Sequence, residues 1–370
     1  MKICFWGEIG NAIKGSTIGG GELQMAMLGK SLALAGHEVV VIDPFINESF
    51  TSTEGIKVFH IPSWNKGLPG LRTFTHRIPS LYKLLVNTKA DFYYTRMRSY
   101  LHLLSYLAAK RNNGKFIMAL ASDFDNAGFW KRFKYEYWPK FNPISYLSHY
   151  LINDVVYDKL KKKADYITLQ HSGQRLTAKS IKGKQAIFPN IFDFRNLNSL
   201  KREPGDYIVS AGSLTMLKGV DQLYYLLEGI DRKNKVVVVG DPRDKKSRSF
   251  FDKMTMDNVV RKGRLKHAET LQTIANARAL INTSKFEGFP NIFLEAWAAG
   301  VPVVSLNVNP GNVITEFGLG IYCEGSIERM KECINNKEVN AIDKTKLISF
   351  VREYHDFEKA GDRFLRILNS

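Results

Sequence analysis

The sequence predicts an α/β protein whose parallel sheets are divided between two domains. Three observations lead there. Short runs of β-branched and apolar residues alternate with helix-period stretches along the whole chain, the pattern of successive βαβ units. At 370 residues the chain is too long for one typical core. Midway lies Pro189–Asp206, PNIFDFRNLNSLKREPGD, a polar stretch punctuated by Pro and Gly that reads as a linker.

In the first half, strands are expected at Ile3–Trp6, Glu38–Ile42, Lys57–His60, Asp91–Thr95, Lys115–Leu120, Tyr166–Leu169 and Ala186–Phe188. Helices are expected over Glu22–Leu34, Ile78–Leu85 and Tyr100–Arg111. A second set of strands follows at Tyr207–Ser210, Lys235–Val239, Val259–Val260, Ala279–Asn282 and Val303–Leu306, and the tail Ile342–Leu368 reads as helical. The domains are therefore expected at 1–195 and 205–355, with 356–370 as a terminal helix.

Composition narrows the class. The chain is 44% hydrophobic and 24% charged, which is that of a folded soluble protein. Cys4, Cys323 and Cys333 are sparse, odd in number and in neither metal nor CxxC spacing, so a reducing, cytoplasmic setting is expected. No apolar run approaches the ~18–20 residues of a membrane span, and MKICFWGEIG reads as a first strand rather than a signal peptide. The histidines show no HxxxH spacing, and no Cys or His cluster suggests zinc. His37, alone at a helix-to-strand corner, reads as structural.

The net charge of +17 is uneven. Between Lys159 and Lys184, the bases Lys159, Lys161, Lys162, Lys163, Arg175, Lys179, Lys182 and Lys184 face one acid, Asp165. Upstream, Phe129–Tyr150 interleaves aromatic residues such as Trp130, Tyr137 and Trp138 with Lys131, Arg132, Lys134 and Lys140. This pattern suits an anionic surface, lipid headgroups or nucleic acid, or else a solvated lysine face over an aromatic core. No helix-turn-helix, zinc or ribonucleoprotein motif supports nucleic acid.

The most informative stretch is Ser284–Pro302, SKFEGFPNIFLEAWAAGVP. Glu287 and Glu295 stand eight positions apart around a Gly-Phe-Pro-Asn turn, after the apolar run Ala279-Leu280-Ile281. Pro290 opens and Gly300 closes a short helix whose N-terminus, with its N–H groups and positive dipole end, points above the strand. A carboxylate is a strong acceptor for paired hydroxyls. A ligand that is both anionic and a polyol fits, as a nucleotide-activated sugar is.

This segment resembles the donor signature of the family-4 retaining glycosyltransferases, Glu, seven residues, Glu. The resemblance extends to Gly19-Gly20-Gly21 after the first strand, to Gly36-His37-Glu38-Val39, and to Ser210–Gly219, where Lys218-Gly219 matches a Lys-Gly pair. Val236–Asp241 and Lys262-Gly263-Arg264-Leu265 resemble segments that cradle the nucleotide base. Two departures stand out. Ser213 occupies the place of an arginine, and Ser122-Asp123 the place of a His-Asp pair. An Asp-x-Asp metal site at Asp123 and Asp125 is the habit of a different glycosyltransferase architecture.

The resemblance implies the GT-B fold, two Rossmann-like domains with parallel sheets facing across a cleft, with the last helix returning to the first domain. It implies transfer of a sugar, with retention, from a nucleoside diphosphate sugar to a hydroxyl acceptor; the basic-aromatic stretch favours a saccharide or lipid-linked saccharide there, as in cell-surface polysaccharide assembly. Glu287, Lys218 and Asp123 would act at the reacting sugar. Gly20, Gly21, Ser213, Lys218, Arg264, Leu265, Glu287, Gly288, Phe289, Pro290, Asn291, Ile292 and Glu295 would bind the donor. Glu8 is a candidate carboxylate on the acceptor side. No metal and no cofactor beyond the co-substrate are expected. The enzyme would sit peripherally on the inner face of the cytoplasmic membrane. A sugar-nucleotide epimerase of the same architecture is the alternative, and a basic nucleic-acid binder a more remote one.

Overall fold

Alternation along the strands sets the layering. In β1 (Lys2–Trp6), Ile3 and Phe5 enter one core while Cys4 and Trp6 enter another, as the two-residue period of a strand requires. In β9 (Tyr207–Ala211), Ile208 and Val209 divide in the same way between two further cores. Both faces of each sheet are therefore covered, which is why these strands read as nearly continuous apolar runs.

The computed structural model describes residues 1–16, 19–134, 151–177 and 179–369. The chain divides into two units, Met1–Ile191 with Phe357–Ser370, and Phe192–Asp356. The first holds β1, β2 (Glu38–Ile42), β3 (Phe50–Thr51), β4 (Lys57–Phe59), β5 (Phe92–Arg96), β6 (Lys115–Ala119), β7 (Tyr166–Leu169) and β8 (Lys184–Ile187). Their order is β3-β4-β2-β1-β5-β6-β7-β8. The pairings are parallel except that of β3 with β4, an edge pair too short to leave a periodic signal.

The second unit holds β9, β10 (Lys235–Val239), β11 (Val259–Gly263), β12 (Ala279–Asn282), β13 (Val303–Ser305) and β14 (Gly320–Tyr322), in the order β11-β10-β9-β12-β13-β14. All of these pairs are parallel. Sequence patterning overlooks β14 because it opens on a glycine. That glycine is needed there, since a Cβ on Gly320 would stand 2.0 Å from the carbonyl oxygen of Val303.

The stretch expected as a linker is not a free connector. Phe192, Phe194, Leu197 and Leu200 all pack on the core of the second unit, and the rings of Phe192 and Phe194 meet edge-on at 5.2 Å. The division falls between Ile191 and Phe192, ahead of the expected 195–205, because these apolar residues anchor an otherwise polar run. The tail is likewise two helices, Lys344–Tyr354 in the second unit and Ala360–Asn369 in the first.

The last helix packs on Gly20–Leu34 within the first unit. Gly361 N donates to Ser31 Oγ at 2.7 Å, and Ser31 Oγ donates to the Phe357 carbonyl at 2.9 Å. Phe364 inserts edge-on between Tyr94 and Phe188. A Cβ on Gly361 would meet the Ser31 backbone oxygen at 2.9 Å, a group that cannot swing aside. Gly361→Ala should therefore cost about 1–3 kcal/mol, the range for overpacking a close contact. Urea unfolding followed by circular dichroism checks this, and a midpoint at or above that of the native chain would contradict the contact.

Candidate functional site

In the second sheet β9 lies between β10 and β12, so the winding reverses at β9. Loops leaving strands on either side of such a point diverge, and α/β proteins bind ligands above the C-terminal ends there. The loop after β9 ends in Lys218-Gly219. Gly219 has φ of 69° and opens the helix Val220–Gly229. A Cβ there would fall 1.9 Å from the carbonyl oxygen of Thr283, the residue just after β12. Only glycine permits this approach, which Thr283 Oγ1 secures by donating to the Gly219 carbonyl at 3.0 Å. Lys285 N donates to the Leu217 carbonyl at 2.9 Å, so the loops after β9 and β12 are stitched together.

The stitching brings two of the expected residues into contact. Lys218 Nζ ion-pairs with Glu287 Oε1, and Ser284 Oγ donates to the same oxygen at 2.9 Å. Lys218 stays half-exposed while Glu287 is mostly covered. Ser284 carries no signal of its own in the sequence, but it begins the Glu-rich segment and turns out to hold its first carboxylate. Lys285 is occupied elsewhere, with Asp221 at 2.6 Å.

Gly288, Phe289 and Pro290 are buried and lead into the helix Asn291–Ala298, with Pro290 at the cap rather than inside the first turn. Phe289 lies against Trp297 and His355. Trp297 Nε1 donates to the Leu319 carbonyl at 2.8 Å and pins the helix to the sheet. Gly300, at φ of 73°, ends it with the paired bonds of a left-handed cap, Gly300 N to Trp297 O and Val301 N to Ala296 O. Asn291 and Ile292 form the first turn, and Glu295 follows on the next.

Glu295 does not share Glu287's partners. Its Oε1 meets His267 Nε2 at 3.0 Å, from the start of the helix His267–Ala275. His267 was not expected from sequence, and only its place just beyond Arg264-Leu265 could have suggested it. Leu265 packs on the core, while Arg264 is exposed in the turn after β11. Ser213 lies just past Gly212, half-buried, in a loop that bonds to the one after β10 through Leu214 N to the Asp241 carbonyl at 3.1 Å. Here too a glycine allows close approach, because a Cβ on Gly240 would stand 1.8 Å from the Gly212 carbonyl oxygen.

The remaining candidates belong to the first unit, at the same edge of its sheet. Asp123 follows β6 and is half-exposed. His171 Nε2, from the loop after β7, and Gln174 Nε2 both bond Asp123 Oδ1 at 3.0 Å. A histidine thus meets Asp123 from 48 positions along the chain, not from the adjacent position. The Asp-x-Asp pair does not converge. Asp125 is buried, its Oδ2 accepting from Ala121 N and Ser122 N at 2.6 and 3.0 Å and its Oδ1 facing Arg98 at 3.5 Å. Among the described residues no group of three or more His, Cys, Asp or Glu is arranged to hold a metal.

Gly20 and Gly21 open the helix Gly20–Leu34. Gly21 backs onto Met97, and Glu22 folds over Gly19 at the helix start. Thr17 and Ile18 of that loop lie outside the described residues. Burial, then the charges of Asp43 and Glu22, push the Glu8 carboxyl above its ordinary value. Of the basic-aromatic run, 135–150 lies outside the described residues. Lys161 does not face solvent with its neighbours. It is buried, donating to the Asp125 carbonyl at 2.7 Å and pairing with Asp158 at 2.8 Å. Among the described residues no helix is long and apolar enough to cross a membrane.

Residues 194–349 match the family described as glycosyl transferases group 1. An uncharacterized glycosyltransferase of Methanocaldococcus jannaschii is 25% identical over 201 residues, which is 48% of this chain and 49% of that protein. The matched stretch thus spans about half the length of that curated relative. Among solved structures, sucrose-phosphate synthase from Thermosynechococcus elongatus aligns over 100% of this chain and 98% of its own, with a TM-score of 0.72 at 13% identity. Anabaena HepE in complex with UDP-glucose aligns over 100% and 99%, with a TM-score of 0.69 at 15% identity. The lipopolysaccharide outer core galactosyltransferase WaaB aligns over 100% and 99%, with a TM-score of 0.67 at 18% identity. Identities this low speak for the fold, which is GT-B.

The hydrogen bond to Glu295, against the opposing effect of burial, raises the His267 pKa above its ordinary 6.5. A pKa raised on folding means that the stability contributed by the charged pair is complete below about 6.5 and fades as pH rises through the folded value. A proton NMR titration should place the His267 midpoint above 6.5, and Glu295→Gln should lower it. The urea midpoint of the native chain, measured relative to Glu295→Gln, should fall over the same window. An imidazole midpoint unmoved by Glu295→Gln would refute the pair.

Proposed function

We propose that this chain, whose second unit is a glycosyl transferases group 1 domain, moves a sugar from a nucleoside diphosphate sugar to a hydroxyl of a saccharide or lipid-linked saccharide, with retention of configuration. One observation carries the reading: the Lys218–Glu287–Ser284 cluster sits at the switch point of the second sheet, and Glu295 lies in the second turn of the helix that follows Glu287. The half-exposed Lys218 ammonium can turn from Glu287 to the diphosphate and take up charge as the leaving group departs. Glu287 then orients the donor sugar through its hydroxyls. Glu295, steadied by His267, accepts from the ribose hydroxyls. Ser213 offers a hydroxyl and not a cation to the phosphates, so Lys218 carries a large share of their stabilisation. The reaction asks for no cofactor beyond the donor and for no metal, and assembly of a cell-surface polysaccharide on the inner face of the membrane is the setting that suits a lipid-linked acceptor.

The experiment is a screen of nucleoside diphosphate sugars, reading nucleoside diphosphate release with and without saccharide acceptors and the anomer of the product by NMR. Conversion of the donor alone, without release, would mean an epimerase instead. Lys218→Ala should lower kcat/KM by about 100-fold or more, the scale of one preorganised electrostatic donor, and activity should survive EDTA. Strict dependence on Mg²⁺ or Mn²⁺ would overturn the metal-free scheme. Calorimetry should separate the carboxylates. Glu295→Ala should weaken nucleoside diphosphate binding by about 1–3 kcal/mol, while Glu287→Ala should leave that affinity near native and slow turnover of the intact donor.

A further inference from the structure

One part of the first unit shows a large apolar tip to solvent. After β4 the chain forms a platform and then a projecting turn. The platform is anchored on two aromatic rings and an arginine. Trp64 is buried against Trp6 with ring centroids 5.7 Å apart. Arg77 Nε donates to the Trp64 carbonyl at 3.0 Å, with its guanidinium 5.1 Å above the Trp64 ring. Between these anchors, Leu71 N and Arg72 N bond back to the Leu68 carbonyl, and Phe74 N and Thr75 N to that of Leu71, so a turn at Leu68–Leu71, with Gly70 at φ of 88°, leads into a helical stretch from Arg72. Leu71 and Phe74, three positions apart at the start of that stretch, share one side, and Leu68 stands in the turn just before them. Leu68, Leu71 and Phe74 are 70%, 58% and 70% exposed, which no core requirement explains.

The charge around the tip is one-sided. Residues 61–80 contain three Lys or Arg and no Asp or Glu. Lys66 and Arg72 flank the apolar side chains. A nucleic acid would be met by stacking aromatics, and two of the three tip residues are leucines, which have no ring to stack. Leucine and phenylalanine beside cations instead match the boundary between acyl chains and anionic headgroups.

We infer that residues 66–77 dock the first unit on an anionic lipid bilayer, with Leu68, Leu71 and Phe74 entering the headgroup–acyl boundary and Lys66 and Arg72 held at the phosphates. β4 runs parallel to β2, and β2 to β1, and β6 belongs to the same parallel set. The tip therefore rises from the sheet edge that also carries Glu8 and Asp123. Docking does not depend on sugar transfer. Its use, presenting a lipid-linked acceptor to that edge, rests on the proposed function.

The test is co-sedimentation of the full chain with phosphatidylglycerol and with phosphatidylcholine vesicles. The native chain should pellet with the anionic vesicles and little with the neutral ones. Leu68→Ser/Leu71→Ser/Phe74→Ser should lower partition at least about tenfold, and Lys66→Gln/Arg72→Gln about fivefold per cation. Both variants should keep the native thermal midpoint and UDP affinity. Equal partition of the triple variant and the native chain would overturn the proposal, as would failure of the native chain to bind either vesicle. So would a native dimer that the triple variant converts to monomer with vesicle binding unchanged, since the tip would then cover a second copy. A native chain that docks but turns over no nucleoside diphosphate sugar would sink the enzymatic reading and leave the docking standing.

Discussion

The approach of Gly219 to Thr283 governs how the loops above the second sheet meet. Two loops from strands adjacent in space but 67 residues apart in chain can touch only where one backbone lacks a side chain. With any Cβ at position 219 the loops would part, and Lys218 would lose Glu287. The contact also fixes the start of the helix Val220–Gly229, so the cation, the carboxylate and the helix are placed by one steric condition. Gly240 against Gly212 repeats the device one strand over. The C-terminal edge of this sheet is thus lined by bare backbone, the kind of surface that a diphosphate and a ribose can approach closely.

The first unit solves a different problem. Asp123 sits on a loop whose underside is charged. Arg98, Asp125, Arg132, Asp154, Asp158 and Lys161 form a largely buried network beneath it. Such networks contribute little net stability, because desolvation offsets most of the attraction, but breaking one partner leaves a buried charge uncompensated. Their effect here is geometric. Asp125 accepts from the N–H groups of Ala121 and Ser122, and Lys161 donates to the carbonyl of Asp125, so the turn carrying Asp123 is tied down from beneath. His171 and Gln174 then hold one oxygen of Asp123 and leave the rest of the carboxylate to solvent.

How much of this was legible in the sequence depended on the range of the interaction. β2, β7, β10 and β12 run where expected because a buried parallel strand is written in four or five consecutive residues. β14 escaped because its opening glycine answers to a distant carbonyl, and the linker misled because Phe194, Leu197 and Leu200 anchor it without any regular period. The helix framed by Pro290 and Gly300 was readable because its start and stop are local backbone events. The Asp-x-Asp spacing was ambiguous for the same reason in reverse, since spacing says nothing of which carboxylate is buried.

By itself, the sequence determined the strand–helix alternation, the two-domain division and the positions of Glu287, Glu295 and Lys218, all of which follow from neighbours along the chain. Only the tertiary structure decided what those residues touch. Lys218 meets Glu287 across 69 positions, His267 meets Glu295 across 28, and His171 meets Asp123 across 48. Periodicity reports a residue's own backbone and the face it presents. It carries no record of which other strand's loop will lie beside it, and that is settled by strand order, steric room at glycine and the pairing of buried charge.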